Sequence, residues 1–386
     1  MISRVVLRYL THNLPWMSFF YRYPLAPMDE SVVELERIAG KIHKQLTKGE
    51  VPEMHLAART KSNIVFDEKK QVYVYGDSKT TRSAKKLDGA YMLLRTTYLL
   101  DFIKEMALQK KSSTLRELYY ISEAWELGKF GTQNESNNLI EDLEIITKLQ
   151  REDFKIRPEE DGAKILGNLV LTEINRKGKP MRINCREDVG DTGYNIPYNV
   201  EEEKLTFNSF EDSRFILAIE TGGMFDRLVE NGFDETHKAI ILHTKGQPAR
   251  STRRFLRRMQ KASKLPVLAF TDADPWSYRI YGSMAYGAIK TAHISHLLAN
   301  PKTHYLGVTP SDIVNYDLPS DSLTDRDINS LNAIKSDPRF QNEFWTSEID
   351  LQLELGKKSE QQALAKYGLD FVTDTYLPEK LAEFKL

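Results

Sequence analysis

Three stretches of the sequence carry residue types at spacings that chemistry could use. In TLRELYYISE, Arg116 and Tyr120 lie four residues apart and would share one face of a helix. A phenol with a pKa of roughly 10 is a poor nucleophile. A cation one turn away would stabilise its phenolate and the charge building on an attacked phosphate. Tyr119 and Tyr120 must face different ways, so one of them belongs to the core, and the residues alone do not choose which. The second stretch is a set of acids at the ends of apolar runs: SRFILAIE ends at Glu220, and LPVLAFTDAD ends at Asp272 and Asp274. Such carboxylates either cap the helices that follow or gather round a cation, and for any one of them the cap is at least as good a reading. A Glu at one strand end with Asp-x-Asp at another favours a metal. An all-oxygen donor set suits Mg²⁺ better than zinc, and that ion can offset charge on a phosphodiester being cleaved. An aspartyl phosphatase also places Asp-x-Asp after a strand, but Pro275 and Trp276 follow where that motif carries small or β-branched residues.

The third stretch, ARSTRRFLRRMQKASK, puts Arg250, Arg253, Arg254, Arg257, Arg258, Lys261 and Lys264 within about 140° of helical arc. Phe255, Leu256 and Met259 fall opposite. The stretch contains no acid, which favours a groove for a phosphate backbone over an ordinary solvated face. His293 and His296 sit one turn apart but lack a third ligand, so packing or surface roles are expected of them.

These residues need elements to hold them. Apolar spacing predicts a helix over 30–46 and short strands at NIVFD and QVYVYG. A long helix is expected over 83–108, and a helix from Thr114 whose Glu117 completes a capping box. A third helix follows over 135–149, and then a hairpin around RPEEDGAK. Three helices and a hairpin describe a winged-helix domain. Residues 166–207 read as a β-rich connector. Beyond them, the apolar runs SRFILAIE, HKAIILHT, LPVLAF and YLGVTP alternate with helical segments, as in a parallel sheet covered on both faces. The acids then fall at the carboxyl ends of its strands, where such sheets bind ligands.

The chain as a whole sets the bounds. Its 386 residues suit two domains, and 41% hydrophobic with 28% charged residues is a globular composition. The net charge of −1 neither favours nor excludes nucleic acid. Cys185 is the only cysteine, so no intramolecular disulfide can form and a reducing cytoplasm is expected. No apolar run is long enough for a membrane span. The basic, acid-free residues 1–27 read as a loose extension before a better functional start at Met28.

RELYY, FILAIETGGMFDRL, GQPARSTRRFL and FTDADPW, in this order, resemble the A subunits of archaeal type IIB DNA topoisomerase, a family that includes the meiotic double-strand-break transesterase. GVTPSDIVNY, SDPRF, LELGKKSEQQAL and YLPEKL extend the resemblance from Met28 to the C-terminus. The resemblance implies a multi-domain α/β chain, with a catabolite-activator-like winged-helix domain joined to a Toprim α/β domain with a parallel sheet. The boundaries expected are an arm over 28–75, the winged helix over 76–160, the connector over 161–210 and Toprim with a helical C-terminal region over 211–386. The resemblance selects Tyr120 as nucleophile, Arg116 as its electrostatic partner, and Glu220, Asp272 and Asp274 as the Mg²⁺ site. Arg253 matches a basic position near DNA. Ser277 stands where a glycine is expected, a change that a helical backbone would tolerate. The activity implied is cleavage and rejoining of double-stranded DNA through a 5′-phosphotyrosyl bond, by a cytoplasmic, nucleoid-associated homodimer. No phosphate loop occurs in the chain, so ATP is expected on a separate GHKL-type B subunit within a heterotetramer. The rivals are a meiotic-type transesterase, a Toprim nuclease or primase that uses the acids alone, and a winged-helix binding protein whose acids are only caps.

Overall fold

The computed structural model describes residues 30–158 and 163–384. The extension expected over 1–27 lies outside the described residues. The chain divides into two compact units: one contains residues up to Val65 and Tyr75–Glu159, the other Phe66–Val74 and Glu160–Leu386.

In the first unit the helix α1 (Glu30–Thr47) precedes β1 (Glu53–Ala57). The strands β2 (Ile64–Asp67) and β3 (Val72–Tyr75) pair with each other, most of their residues counting with the second unit, and β4 (Lys79–Ser83) returns antiparallel to β1. The long helix α2 (Leu87–Gln109) buries Leu93, Leu94, Leu99, Leu100 and Ile103. After β5 (Ser113–Thr114) come α3 (Leu115–Ile121) and α4 (Gln133–Thr147). Leu118 of α3 and Leu139, Ile140 and Leu143 of α4 complete one core with α2 and with Leu35, Ile38 and Ile42 of α1. Among the described residues, the two arms of the hairpin expected around RPEEDGAK do not pair with each other. Its first arm, β6 (Ile156–Arg157), lies parallel to β5, while the second, β7 (Lys164–Leu166), pairs antiparallel with strands of the other unit's main sheet. Each arm has unpaired backbone groups that a more distant strand satisfies.

In the second unit β8 (Val170–Ile174) pairs antiparallel with β9 (Pro180–Asn184) on one side and β11 (Leu205–Ser209) on the other. The main sheet has the order β10-β7-β13-β12-β14-β15, with β10 at Tyr194–Asn195. Its four parallel strands are β12 (Phe215–Ile219), β13 (Ala239–His243), β14 (Val267–Phe270) and β15 (Thr303–Gly307). The expected connector is therefore not one piece: β7 and β10 extend the main sheet, and β8, β9 and β11 form their own.

Strand periodicity explains why the parallel runs read as continuously apolar. Ile216, Ala218, Ile240, Leu242, Val267 and Ala269 join one core with Phe255, Met259, Tyr278 and Trp345. Their alternates Phe215, Leu217, Ile219, Ile241, Leu268 and Phe270 join a second core with Phe225, Leu228, Tyr376 and Leu377. Both faces are covered, so no polar alternation is left to see. Among the described residues, no helix is long and apolar enough to cross a membrane.

Candidate active site

The tyrosine helix α3 is fixed at its start by a complete capping box. The Thr114 hydroxyl accepts from the Glu117 N–H at 3.0 Å, and the Glu117 carboxylate accepts from the Thr114 N–H at 2.6 Å. The Thr114 N–H above all holds the Glu117 carboxyl below its usual range, and Arg157 adds to the effect. Leu118 anchors the helix in the core, and half-buried Tyr119 packs against the same core. Tyr120 is 59% exposed, its ring 5.4 Å from that of Tyr119. The two tyrosines that spacing alone left equivalent thus differ in exposure, Tyr119 half-buried and Tyr120 at the surface. Arg116 is exposed one turn before Tyr120 on the same helix. Tyr120 also borders a cleft of about 460 Å³, with Phe102, Met106, Lys111, Glu117 and Ile121 among its walls.

In the second unit, Glu220 directly follows β12, and Asp272 and Asp274 follow the adjacent β14. Each carboxylate has a backbone N–H partner. Glu220 Oε2 accepts from Asp272 N at 3.3 Å, Asp272 Oδ1 from Gln361 N at 2.8 Å, and Asp274 Oδ1 from Ser277 N at 2.8 Å. Asp274 is therefore the N-cap of the helix Pro275–Ala285, with Pro275 at its first position. Ser277 lies inside that helix, where its backbone is helical. A carboxylate has two oxygens, so capping is compatible with ligating a cation.

Glu220 and Asp272 are both perturbed by their surroundings. Burial pushes Asp272 up to about 7, against the Gln361 N–H, and the charges of Glu220 and Asp274 raise it further. Glu220 is also raised, by burial first; the Ser277 hydroxyl and the Asp272 N–H oppose the shift, and Asp274 adds to it. Among the described residues, no three acids, histidines or cysteines are already gathered round one point as a metal site. The donors are nonetheless all oxygen, half-buried and short of positive charge. Lys358, a nearby cation, is tied to Asp327 at 2.9 Å. Burial and mutual repulsion of this kind are what a hard divalent cation would relieve.

Sequence reasoning missed Gln361. It is fully buried and braces both strand ends: its N–H bonds Asp272, its Nε2 donates to Phe270 O at 2.9 Å, and its Oε1 accepts from Thr221 Oγ1 at 2.9 Å. It lies within LELGKKSEQQAL, the one signal that could have pointed to it.

The basic helix, Arg250–Ser263, packs Phe255, Leu256 and Met259 on the main sheet as expected. Its other side is not an open positive face. Arg254 forms a two-pronged pair with Glu201, both bonds 2.6 Å. Arg258 donates to Val200 O and to Leu205 O, and stacks over Phe207 at 5.5 Å. Arg257 reaches Asn300 Oδ1 at 3.5 Å, and Arg253 is buried. The acid absent from the helix comes from the Glu201-Glu202-Glu203 run instead. Arg250 is half-buried, and Lys261 and Lys264 are exposed. His296 is exposed at the surface, yet partial desolvation by its neighbours, with Arg254 and Lys261 nearby, holds its pKa down.

Three family profiles match the chain in order. Residues 91–156 match the type IIB DNA topoisomerase profile, and 159–211 match the all-beta domain of the DNA topoisomerase VI alpha chain. Residues 215–381 match the Toprim domain shared by the topoisomerase 6 A subunit and Spo11. Proteins named as the A subunit of type 2 DNA topoisomerase 6 are similar over most of their length. That of Archaeoglobus fulgidus is 59% identical, covering 90% of this chain and 95% of its own. That of Natronomonas pharaonis is 55% identical, covering 92% and 95%. That of Haloarcula marismortui is 53% identical, covering 92% and 96%. Identity at this level, running through both units, means that the chain belongs to the family of type 2 DNA topoisomerase 6 A subunits.

Proposed function

We propose that Tyr120 forms the covalent bond to DNA in this chain, which is the DNA-cleaving subunit of an ATP-dependent type IIB topoisomerase. The observation that carries the assignment is the exposure of Tyr120 on a capped helix, beside a neighbour that packs into the core. Tyr120 Oη attacks a backbone phosphorus and loses its proton. The bond from phosphorus to the 3′ oxygen breaks, and that oxygen leaves as a hydroxyl once protonated. The DNA 5′ end remains on the tyrosine, and the reverse reaction reseals it. Arg116 offsets negative charge on the phenolate and the phosphate. The helices α2, α3 and α4 of the first unit act as a catabolite-activator-like winged-helix module that presents Tyr120 to the duplex.

Glu220, Asp272 and Asp274 would hold Mg²⁺, which when bound supplies positive charge to the phosphate. Gln361 keeps Asp272 in place beside Glu220. Arg250 and Lys261 are the part of the basic helix assigned to the DNA backbone, with Arg253 buried beneath them. The active assembly is a homodimer on double-stranded DNA in the cytoplasm, each tyrosine working with the acids of the other protomer. A GHKL-type ATPase B subunit binds ATP and completes a heterotetramer.

Labelled DNA incubated with the chain, its ATPase partner and Mg²⁺, and then denatured, tests the assignment. Label should stay on the protein through a phosphotyrosine at position 120 and be lost with Tyr120→Phe. Retention of label by Tyr120→Phe would overturn the choice of nucleophile.

A further inference from the structure

Trp276 is 67% exposed, more than any other large apolar side chain among the described residues. A single exposed apolar residue is ordinary on a protein surface, so its setting is what matters. Trp276 is two residues past Asp274, at the second position of the helix that Asp274 caps. Pro275, Ser277 and Tyr278 around it are buried, so the indole projects from a backbone that cannot give way. Arg279, one turn on, holds its guanidinium 5.9 Å from the indole centre. Its Nε donates to Ser330 Oγ at 3.0 Å, which fixes the cation in place. The described tryptophans Trp125 and Trp345 are buried in cores.

A rigid, solvent-facing indole with a cation stacked on it suits one kind of partner, a flat π-surface carried on a polyanion. Aromatic rings accept bases of any identity, and arginine adds attraction for phosphate. Apolar wedges also enter duplexes at base steps. We infer that Trp276 stacks on a nucleobase at a step next to the scissile phosphate, with Arg279 on the adjoining backbone, and so helps to set where the duplex is cut. This rests on the reading that Glu220, Asp272 and Asp274 act at a DNA phosphate. Trp276 then makes the contact that registers the duplex against those acids.

The test uses the full chain with its ATPase partner. Duplex DNA added in the absence of Mg²⁺ should quench tryptophan fluorescence, and Trp276→Phe should lose most of that quench. With Mg²⁺ present, Trp276→Ala should shift the mapped cleavage positions and lower the yield of covalent complex about tenfold, the loss expected of one base stack. Trp276→Phe should keep most of the yield, because it keeps a ring. Neither change should move the melting temperature, since the side chain is exposed. An unchanged quench in Trp276→Phe, or an unchanged cleavage map and yield in Trp276→Ala, would overturn the proposal. So would a Trp276→Ala chain that sediments as a folded monomer, which would make the indole a contact between copies. Failure of Tyr120→Phe to abolish covalent capture would sink the nucleophile assignment alone, leaving the fluorescence measurement to decide Trp276.

Discussion

Asp272 carries the strongest electrostatic consequence at the scale of single residues. Its carboxyl is pushed up to about 7, chiefly by burial and further by Glu220 and Asp274. The folded chain therefore holds a proton that the unfolded chain releases near pH 4. A raised folded pKa adds stability fully below the unfolded value, and that stability is lost as pH rises through about 7. His237, His243 and His296 are shifted down and act with the opposite sign, their contribution falling away as pH drops below their unfolded value. The difference between wild type and Asp272→Asn isolates the carboxyl. Without Mg²⁺, the wild type's melting temperature should fall relative to the variant's between pH 5 and pH 7 and level off above that. The full effect is at most a few kcal/mol, since each pKa unit is worth about 1.4 kcal/mol. Added Mg²⁺ should stabilise the wild type increasingly up to pH 7 and the variant hardly at all. A flat difference curve would mean that Asp272 is already ionised at low pH. The acids were legible as residue types converging at strand ends, but which of them touch was not, because Glu220 and Asp272 are brought side by side only by the pairing of β12 with β14. Spacing alone did not choose between Tyr119 and Tyr120, because exposure is a property of a surface; the resemblance made that choice.

Among the elements, the seven-residue helix α3 is too short to hold itself together, so its cap and its Leu118 anchor must do so. Thr114→Ala removes the hydroxyl half of the capping box and should cost about 1 kcal/mol of stability, within a usual range of about 0.5–2 kcal/mol. Because Tyr120 sits in the same short helix, the yield of covalent complex should drop with it, and Thr114→Ser should restore both. Loss of stability with full cleavage would show that the helix start does not position the tyrosine. This capping box was readable in advance, since Thr114 and Glu117 are three residues apart. The partner of the basic helix was not: Glu201 lies 53 residues from Arg254. A face that looks open along a helix can be closed by any loop of opposite charge, and no periodicity reveals which one. Two substitutions separate the roles on this helix. Arg254→Ala strands the Glu201 carboxylate and should cost about 1–3 kcal/mol of stability. Lys261→Ala should leave the melting temperature alone and reduce the salt dependence of DNA binding by about one unit of slope. If Arg254→Ala changed that slope while sparing stability, the Glu201 pair would not be the dominant contact in solution.

For the whole molecule, the two groups of reactive residues belong to different compact units, Tyr120 and Arg116 in the first, the carboxylates in the second. The parallel sheet and its covering helices were legible, because four continuously apolar runs between helical segments admit few other arrangements. RPEEDGAK was misread because two short arms flanking a polar turn look like a hairpin whether or not they pair with each other. Their true partners, Ser113–Thr114 for one arm and strands of the main sheet for the other, lie far away in sequence. The proposal that each cut uses a tyrosine from one protomer and acids from the other has a sharp consequence for mixtures. Tyr120→Phe chains lack the nucleophile, and Glu220→Ala chains lack one of the carboxylates proposed for the metal, so neither homodimer should cleave. In a heterodimer of the two, one composite site contains both lesions and the other contains none. Co-expressed with differently tagged chains and the ATPase partner, the purified heterodimer should therefore nick DNA, with covalent label only on the chain that retains Tyr120. If each site instead used residues of a single protomer, both sites of the heterodimer would carry one lesion, and no label should appear on either chain. Label on the Tyr120 chain at about half the wild-type amount, since one site of two is intact, would establish the crossed arrangement; its complete absence would refute it.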